Sequence, residues 1–209
     1  MDSIPLSVNK GGSRVAKNVK RQFPKPSELA PLLQFSLPTL RLRKRRLEKA
    51  YTIWDLRDIA KRRTPKGPFD YTDGSAESEV SLERARQAYR DLEFIPSILK
   101  DVSTADLTRT ALGETFSMPV GIAPTGFTRM MQTQGEIAGA RAAEKFGIPF
   151  TLSTLGTTTI EDVVASAPDG RNWFQLYMWK DREGSMALVE RAKRTGVKNL
   201  MLTVDVPAA

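Results

Sequence analysis

The chain has 209 residues, 40% of them hydrophobic and 27% charged, with 32 Lys and Arg against 24 Asp and Glu, no Cys and no His. At roughly 100–200 residues per domain, this composition describes one globular domain with an extension. Disulfides and thiol catalysis are excluded, and so is any mechanism in which an imidazole of this chain serves as base or metal ligand. Apolar runs such as that around Leu200 to Val206 fall well short of the ~20 residues that span a bilayer. Met1–Lys20 lacks the apolar core of a secretory signal, so a cytoplasmic location is expected.

Residues 1–66 hold 17 Lys and Arg against 5 Asp and Glu, and the remainder holds 15 against 19. The positive excess therefore belongs to the front of the chain, with Arg41-Leu42-Arg43-Lys44-Arg45-Arg46 its densest run. Residues 1–50 read as a basic, solvated extension, and residues 51–209 as the folded body. Such an arm leaves open a peripheral contact with an anionic membrane face. No stacking aromatics are interleaved with the Arg41–Arg46 run, which argues against specific nucleic-acid recognition.

Ordered structure is expected from about Tyr51. Thr52 has the chemistry of an N-cap, and Ile53, Leu56, Ile59 and Ala60 share one helical face before Thr64-Pro65 ends the helix. A second helix is predicted from Ala76 to about Tyr89, opened by Ser75. Asp106–Pro119, with Leu112-Gly113 near its middle, reads as a hairpin. From there a unit repeats: the apolar strand Met118–Ala123, a helix opened by capping-box spacing at Thr133-Gln134-Gly135-Glu136 and ended at Gly147, and the strand Phe150–Ser153. Thr158-Thr159-Ile160-Glu161 opens the next helix in the same way. The strand Trp173–Met178, a helix from Arg182 to Thr195 and the strand Asn199–Val204 complete the series, with Trp173 and Trp179 read as packing residues.

Strands apolar on both faces and alternating with helices imply a parallel sheet with helical crossovers. No dinucleotide glycine fingerprint follows the first strand, which favours a (βα)8 barrel over a doubly wound sheet. The expected fold is the amino-terminal half of a (βα)8 TIM barrel, preceded by a helical segment and the basic extension. Function in such a barrel gathers at the C-terminal ends of the strands. Those ends read Ala123-Pro124-Thr125-Gly126, Ser153-Thr154, Gln175-Leu176-Tyr177 and Thr203-Val204-Asp205. Hydroxyl, amide, phenol and a single carboxylate suit a polar, ring-shaped ligand better than a metal.

In order and spacing, Ile122-Ala123-Pro124-Thr125-Gly126, Leu152-Ser153-Thr154, Phe174-Gln175-Leu176-Tyr177 and Leu202-Thr203-Val204-Asp205-Val206-Pro207 resemble the strand-end motifs of the FMN-dependent 2-hydroxy-acid dehydrogenase and oxidase family. Phe69-Asp70-Tyr71 with Ser75-Ala76-Glu77 is similar to the tyrosine-bearing segment ahead of that family's barrel. The arm with Leu29-Ala30-Pro31-Leu32-Leu33-Gln34-Phe35 looks most like that of actinobacterial lactate dehydrogenases. The resemblance implies an FMN cofactor and a small 2-hydroxy acid substrate, L-lactate favoured, oxidised by hydride transfer to the flavin.

It also implies that the backbone of Pro124, Thr125 and Gly126 lies against the flavin ring, and that Ser153, Gln175 and Thr203 hydrogen-bond its polar edge. Tyr71 and Tyr177 would bind the substrate's carboxylate and hydroxyl. Asp205 would orient a histidine base. Leu155 would form a pocket wall compatible with lactate's methyl group. The family's histidine, flavin lysine, carboxylate-binding arginines and glycine-rich phosphate site have no counterpart in these 209 residues. The chain is therefore expected to be an incomplete barrel, inactive alone, whose open edges invite a second polypeptide. A non-catalytic protein that uses the basic arm on an anionic surface, and another flavin barrel such as an isomerase, are the competing readings.

Overall fold

A computed structural model describes residues 46–205, and the architecture below is that of the unit that begins at Thr52. The apolar stretch Leu29–Phe35, nearly all of the Arg41–Arg46 run, and Val206 and Pro207 lie outside the described residues.

Helix α1 spans Ile53–Lys61 and opens as expected: the Thr52 hydroxyl accepts from the Asp55 amide, while the Asp55 carboxylate accepts from the Thr52 amide. Helix α2, Lys66–Asp73, was not foreseen. Thr64-Pro65 marks the end of α1, and the fixed φ of Pro65 also suits the residue that leads into the next helix. Helix α3 spans Val80–Arg90, so the predicted start at Ala76 with Ser75 as cap is corrected by several residues. Glu77 and Glu79 both adopt positive φ, which breaks helical geometry ahead of Val80. Arg57 of α1 grips Asp73 at the end of α2 through both guanidinium and carboxylate, with Nη2 2.6 Å from Oδ2. Its guanidinium also lies over the rings of Trp54 and Phe69. Hydrogen bonding to Arg57 holds the Asp73 carboxyl below its usual range.

The predicted hairpin is formed by β1, Arg109–Ala111, and β2, Glu114–Phe116, in antiparallel register. Leu112 and Gly113 both have positive φ, as a two-residue turn of the I′ kind requires. The Glu114 carboxylate accepts from Trp173 Nε1 at 2.7 Å and from Asn199 Nδ2 at 2.9 Å. Phe116 meets the Trp173 ring edge-on at 6.0 Å. The hairpin thus packs at the N-terminal ends of the next strands, opposite the end where ligands bind.

The main sheet consists of β3, Pro149–Leu152, β4, Arg171–Tyr177, and β5, Leu200–Thr203, parallel and in the order β3-β4-β5. The expected first strand, Met118–Ala123, is reduced to a parallel bridge between Ile122 and Phe150. It is held by Ile122 N–H to Pro149 O and Thr151 N–H to Ile122 O. Every strand therefore lies beside its sequence neighbour. A doubly wound sheet would reverse its strand order at a switch point, whereas consecutive order is that of a barrel.

Helices α4, Gly135–Phe146, α5, Ile160–Ser166, and α6, Arg182–Arg194, form the crossovers. They bury one face of the sheet: Ala140, Ala143, Val163 and Ala192 pack with Phe150, Leu152, Phe174 and Leu176. A Cβ on Gly139 would come within 2.7 Å of the Phe150 ring, so helix and strand touch there without a side chain between them. Gly147 closes α4 at φ 64, as its position predicted. The caps differ from expectation at two places. Thr133 does not cap α4, whose N-cap is Gln134. In α5 Thr159 is the N-cap, with Asp162 as its reciprocal partner in place of the pair Thr158 and Glu161.

Candidate active site at the strand ends

Side chains alternate across a strand, so the face opposite the helices carries Thr151, Ser153, Trp173, Gln175, Tyr177, Met201 and Thr203. Parallel register sets Gln175 beside Met201 and Tyr177 beside Thr203. At the C-terminal ends these side chains form a lateral row across three strands. Ser153 Oγ donates to Gln175 Oε1 at 3.3 Å, and Gln175 Nε2 donates to Thr203 Oγ1 at 2.8 Å. The Gln175 amide, almost fully buried, is fixed further by the Thr154 N–H at 3.0 Å. Among the described residues, one Gln175 N–H and the Thr203 hydroxyl proton find no acceptor. The row thus offers donors to a ligand with an electron-rich edge.

Sequence reasoning gave Thr154 no separate role, yet it ties β3 to β4. Its hydroxyl donates to Gln175 O at 2.6 Å and accepts from the Tyr177 N–H at 3.1 Å, fixing the backbone from which the Tyr177 phenol projects. The signal was a second hydroxyl residue at a strand end, where the ladder runs out of partners.

Glu136 is the larger omission. Read as half of a capping box, it is instead buried, and its carboxylate accepts from Thr157 N at 2.6 Å, Thr157 Oγ1 at 2.8 Å and Thr158 Oγ1 at 2.7 Å. Burial raises its pKa, but hydrogen bonds to the charged form outweigh that and bring it from 4.5 to about 2. Thr157 Oγ1 in turn accepts from the Arg129 N–H, and the Phe127 N–H bonds Leu155 O. Glu136 thereby clamps the loop after β3 to the loop that carries Pro124, Thr125 and Gly126. The two loops pack closely at Gly126, where a Cβ would come within 3.0 Å of Leu155 Cβ.

A cavity of about 870 Å³ opens at the ends of β4 and β5, lined among others by Leu155, Tyr177, Trp179, Lys180, Arg182 and Thr203. The cavity thus brings Tyr177, Thr203 and Leu155 together. Trp179, read as a packing residue, instead forms part of the cavity wall. Lys180 and Arg182 were not singled out, and they outnumber the lining's single acid, Asp181, making the mouth favourable to an anion. Ser153 and Gln175 sit behind the lining. Pro124, Thr125, Gly126, Tyr71 and Asp205 are not among the residues that line the cavity. Tyr71 lies exposed on α2, and Asp205 is exposed at the end of the described residues.

Comparison with known proteins agrees with this architecture. The chain is 59% identical over 191 residues to a putative L-lactate dehydrogenase of Mycobacterium tuberculosis, covering 91% of this chain and 46% of that protein. It is 43% identical over 155 residues to glycolate oxidase 1 of Zea mays, covering 74% of this chain and 42% of the relative. A crystal structure of mandelate oxidase superposes with a TM-score of 0.72 at 34% identity, over 76% of this chain and 46% of the other. The chain thus spans less than half the length of these relatives. The FMN-dependent dehydrogenase family model matches residues 60–209, from the end of α1 through every strand of the half-barrel, and the chain accordingly belongs to the FMN-dependent dehydrogenase family.

Proposed function

We propose that this chain supplies the flavin-ring side of an FMN-dependent 2-hydroxy-acid dehydrogenase, with L-lactate as substrate, and that it does not turn over alone. The observation that carries the reading is the donor row from Ser153 through Gln175 to Thr203. Its unspent protons suit the ring edge on which a reduced flavin gathers negative charge. The backbone of Pro124, Thr125 and Gly126, in the loop that Glu136 clamps to the one after β3, lies against the flat ring. FMN, when bound, supplies the acceptor for the substrate's hydride.

The remaining chemistry falls to side chains. Tyr177 in the cavity wall, together with Tyr71, binds the substrate's carboxylate and hydroxyl through phenol O–H donors, while Lys180 and Arg182 favour entry of the anion. Leu155 bounds a space suited to a methyl group. Asp205 orients and stabilises an imidazolium that another polypeptide segment must provide, because this chain has no His. The L-lactate dehydrogenase name of the 59% identical relative favours lactate over larger acids. We further place the protein in the cytoplasm. The charge excess of residues 1–66 favours a peripheral contact with the inner membrane face, which a salt-sensitive loss of vesicle binding on deleting residues 1–50 would reveal.

Riboflavin, which has the ring without the phosphate, probes the row directly. Titration of the chain should give saturable quenching that Thr203→Val and Gln175→Leu weaken at least fivefold. Unchanged binding by both variants would overturn the assignment of the row. Anaerobic mixing of the chain with FMN and L-lactate should leave the flavin oxidised, and bleaching by the chain alone would refute its dependence on an added base.

A further inference from the structure

We propose that Thr154 is a positioning residue that fixes the polarity of the donor row. Its hydroxyl stands where its own backbone would sit in the β3–β4 ladder, and this releases its N–H to hold the Gln175 amide. The proposal rests on the flavin-edge role given to the row in the preceding subsection, but not on the choice of substrate.

The ladder defines the exchange. Thr151 N–H bonds Ile122 O, so the odd-numbered residues of β3 turn their backbone groups to the Ile122 bridge and the even-numbered ones turn theirs to β4. Phe174 N–H bonds Asn199 O, so in β4 the odd-numbered residues face β3. Leu152 pairs with Phe174, and the same register carried further sets Thr154 opposite Leu176. In a parallel ladder the Thr154 N–H would then donate to Gln175 O, and the Thr154 C=O would accept from Tyr177 N–H. The Thr154 hydroxyl takes both places, donating to Gln175 O at 2.6 Å and accepting from Tyr177 N–H at 3.1 Å. The chain turns out of the sheet here, with Gly156 N–H bonded to Ser153 O at 2.9 Å. A group that both donates and accepts thus keeps two β4 backbone groups satisfied after the β3 backbone has left them.

The released Thr154 N–H meets the Gln175 side chain at 3.0 Å. A backbone N–H can only donate, so the atom it meets is the carboxamide oxygen, and the carboxamide nitrogen must point the other way, to Thr203 Oγ1 at 2.8 Å. Leu155 N–H donates to Ser153 Oγ at 3.1 Å, which leaves the Ser153 proton for the same Gln175 oxygen. The bonds of the row therefore all run from β3 toward β5, and the row ends in donors. A reversed Gln175 amide would present its oxygen instead and would repel an electron-rich ring edge. Valine at this position keeps the shape of threonine without the hydroxyl, whereas serine keeps the hydroxyl.

The test compares Thr154→Val and Thr154→Ser with the original chain. In Thr154→Val the residue's own N–H is free to return to Gln175 O, so the sheet survives while the Gln175 amide loses its fixed partner. The side-chain amide signals of Gln175 in the nitrogen NMR spectrum are assigned by their loss in Gln175→Leu. They should form one resolved pair in the original chain and in Thr154→Ser, and should shift or split in Thr154→Val. Riboflavin should bind Thr154→Val about fivefold more weakly and Thr154→Ser within about twofold of the original. Thr110→Val, which breaks the Thr110–Thr115 hydroxyl pair of the hairpin at 3.1 Å, should leave both readouts unchanged. The proposal is overturned if the Gln175 signals or the riboflavin affinity are the same in Thr154→Val as in the original, or if Thr154→Ser behaves like Thr154→Val. Should riboflavin fail to bind even the original chain while the Gln175 signals respond as expected, the flavin role of the row is refuted and the positioning by Thr154 stands.

Discussion

Replacing Glu136 by Gln tests whether one buried carboxylate holds the strand-end loops together. The side chain is only 2% exposed, and its carboxylate accepts three hydrogen bonds at 2.6–2.8 Å from Thr157 and Thr158. Its pKa falls from 4.5 to about 2 on folding. A depressed carboxyl pKa contributes stability in full above the unfolded value, and the contribution is lost as pH falls through the folded one. At 1.36 kcal/mol per unit, the charge is worth about 3 kcal/mol at neutral pH, less than half of that at pH 3 and little at pH 2. Gln keeps the shape but can present an N–H toward the Thr157 N–H, so roughly 2–3 kcal/mol should be lost at pH 7. Urea denaturation of both proteins at pH 7, 4 and 3 checks this. The gap between them should narrow steadily as the pH falls, while the variant's own curve is flatter in this window. A constant gap from pH 7 to pH 3 would refute the assignment, because the loss would then come from packing and not from the charge.

Gln175→Leu removes the centre of the buried row and leaves the Thr154 N–H without its acceptor. It should cost about 1–3 kcal/mol, read as a lower urea midpoint at unchanged slope. Trp173→Phe deletes the indole N–H that meets Glu114 at 2.7 Å, and a loss of about 1 kcal/mol in thermal unfolding is expected. Gly139→Ala drives a methyl group into the Phe150 ring at 2.7 Å, so overpacking should cost about 1–3 kcal/mol in chemical denaturation. Gly147→Ala meets no comparable contact but must hold φ 64, and should cost about 1 kcal/mol.

The sequence by itself determined the alternating strands and helices, the hairpin turn at Leu112-Gly113, the stop at Gly147 and the strand-end positions of Ser153, Gln175, Tyr177 and Thr203. These are local properties. Apolar period, turn residues and caps act within a few positions, and the period of two places Gln175 and Tyr177 on one face before any partner is known. The role of Glu136 was not legible, because Thr133 to Glu136 has the spacing of a cap and the acceptors' true donors lie 21 and 22 positions away. Helix α2 escaped because Pro65 signals both the end of one helix and the approach to another. Only the tertiary structure decided that the sheet runs in consecutive order, since strand adjacency depends on how crossovers pack and not on the strands themselves. It also decided that Phe174 and Leu176, on the central strand, are buried beneath α4, α5 and α6. Hydropathy says that a residue seeks cover, and the neighbouring elements determine whether it finds any.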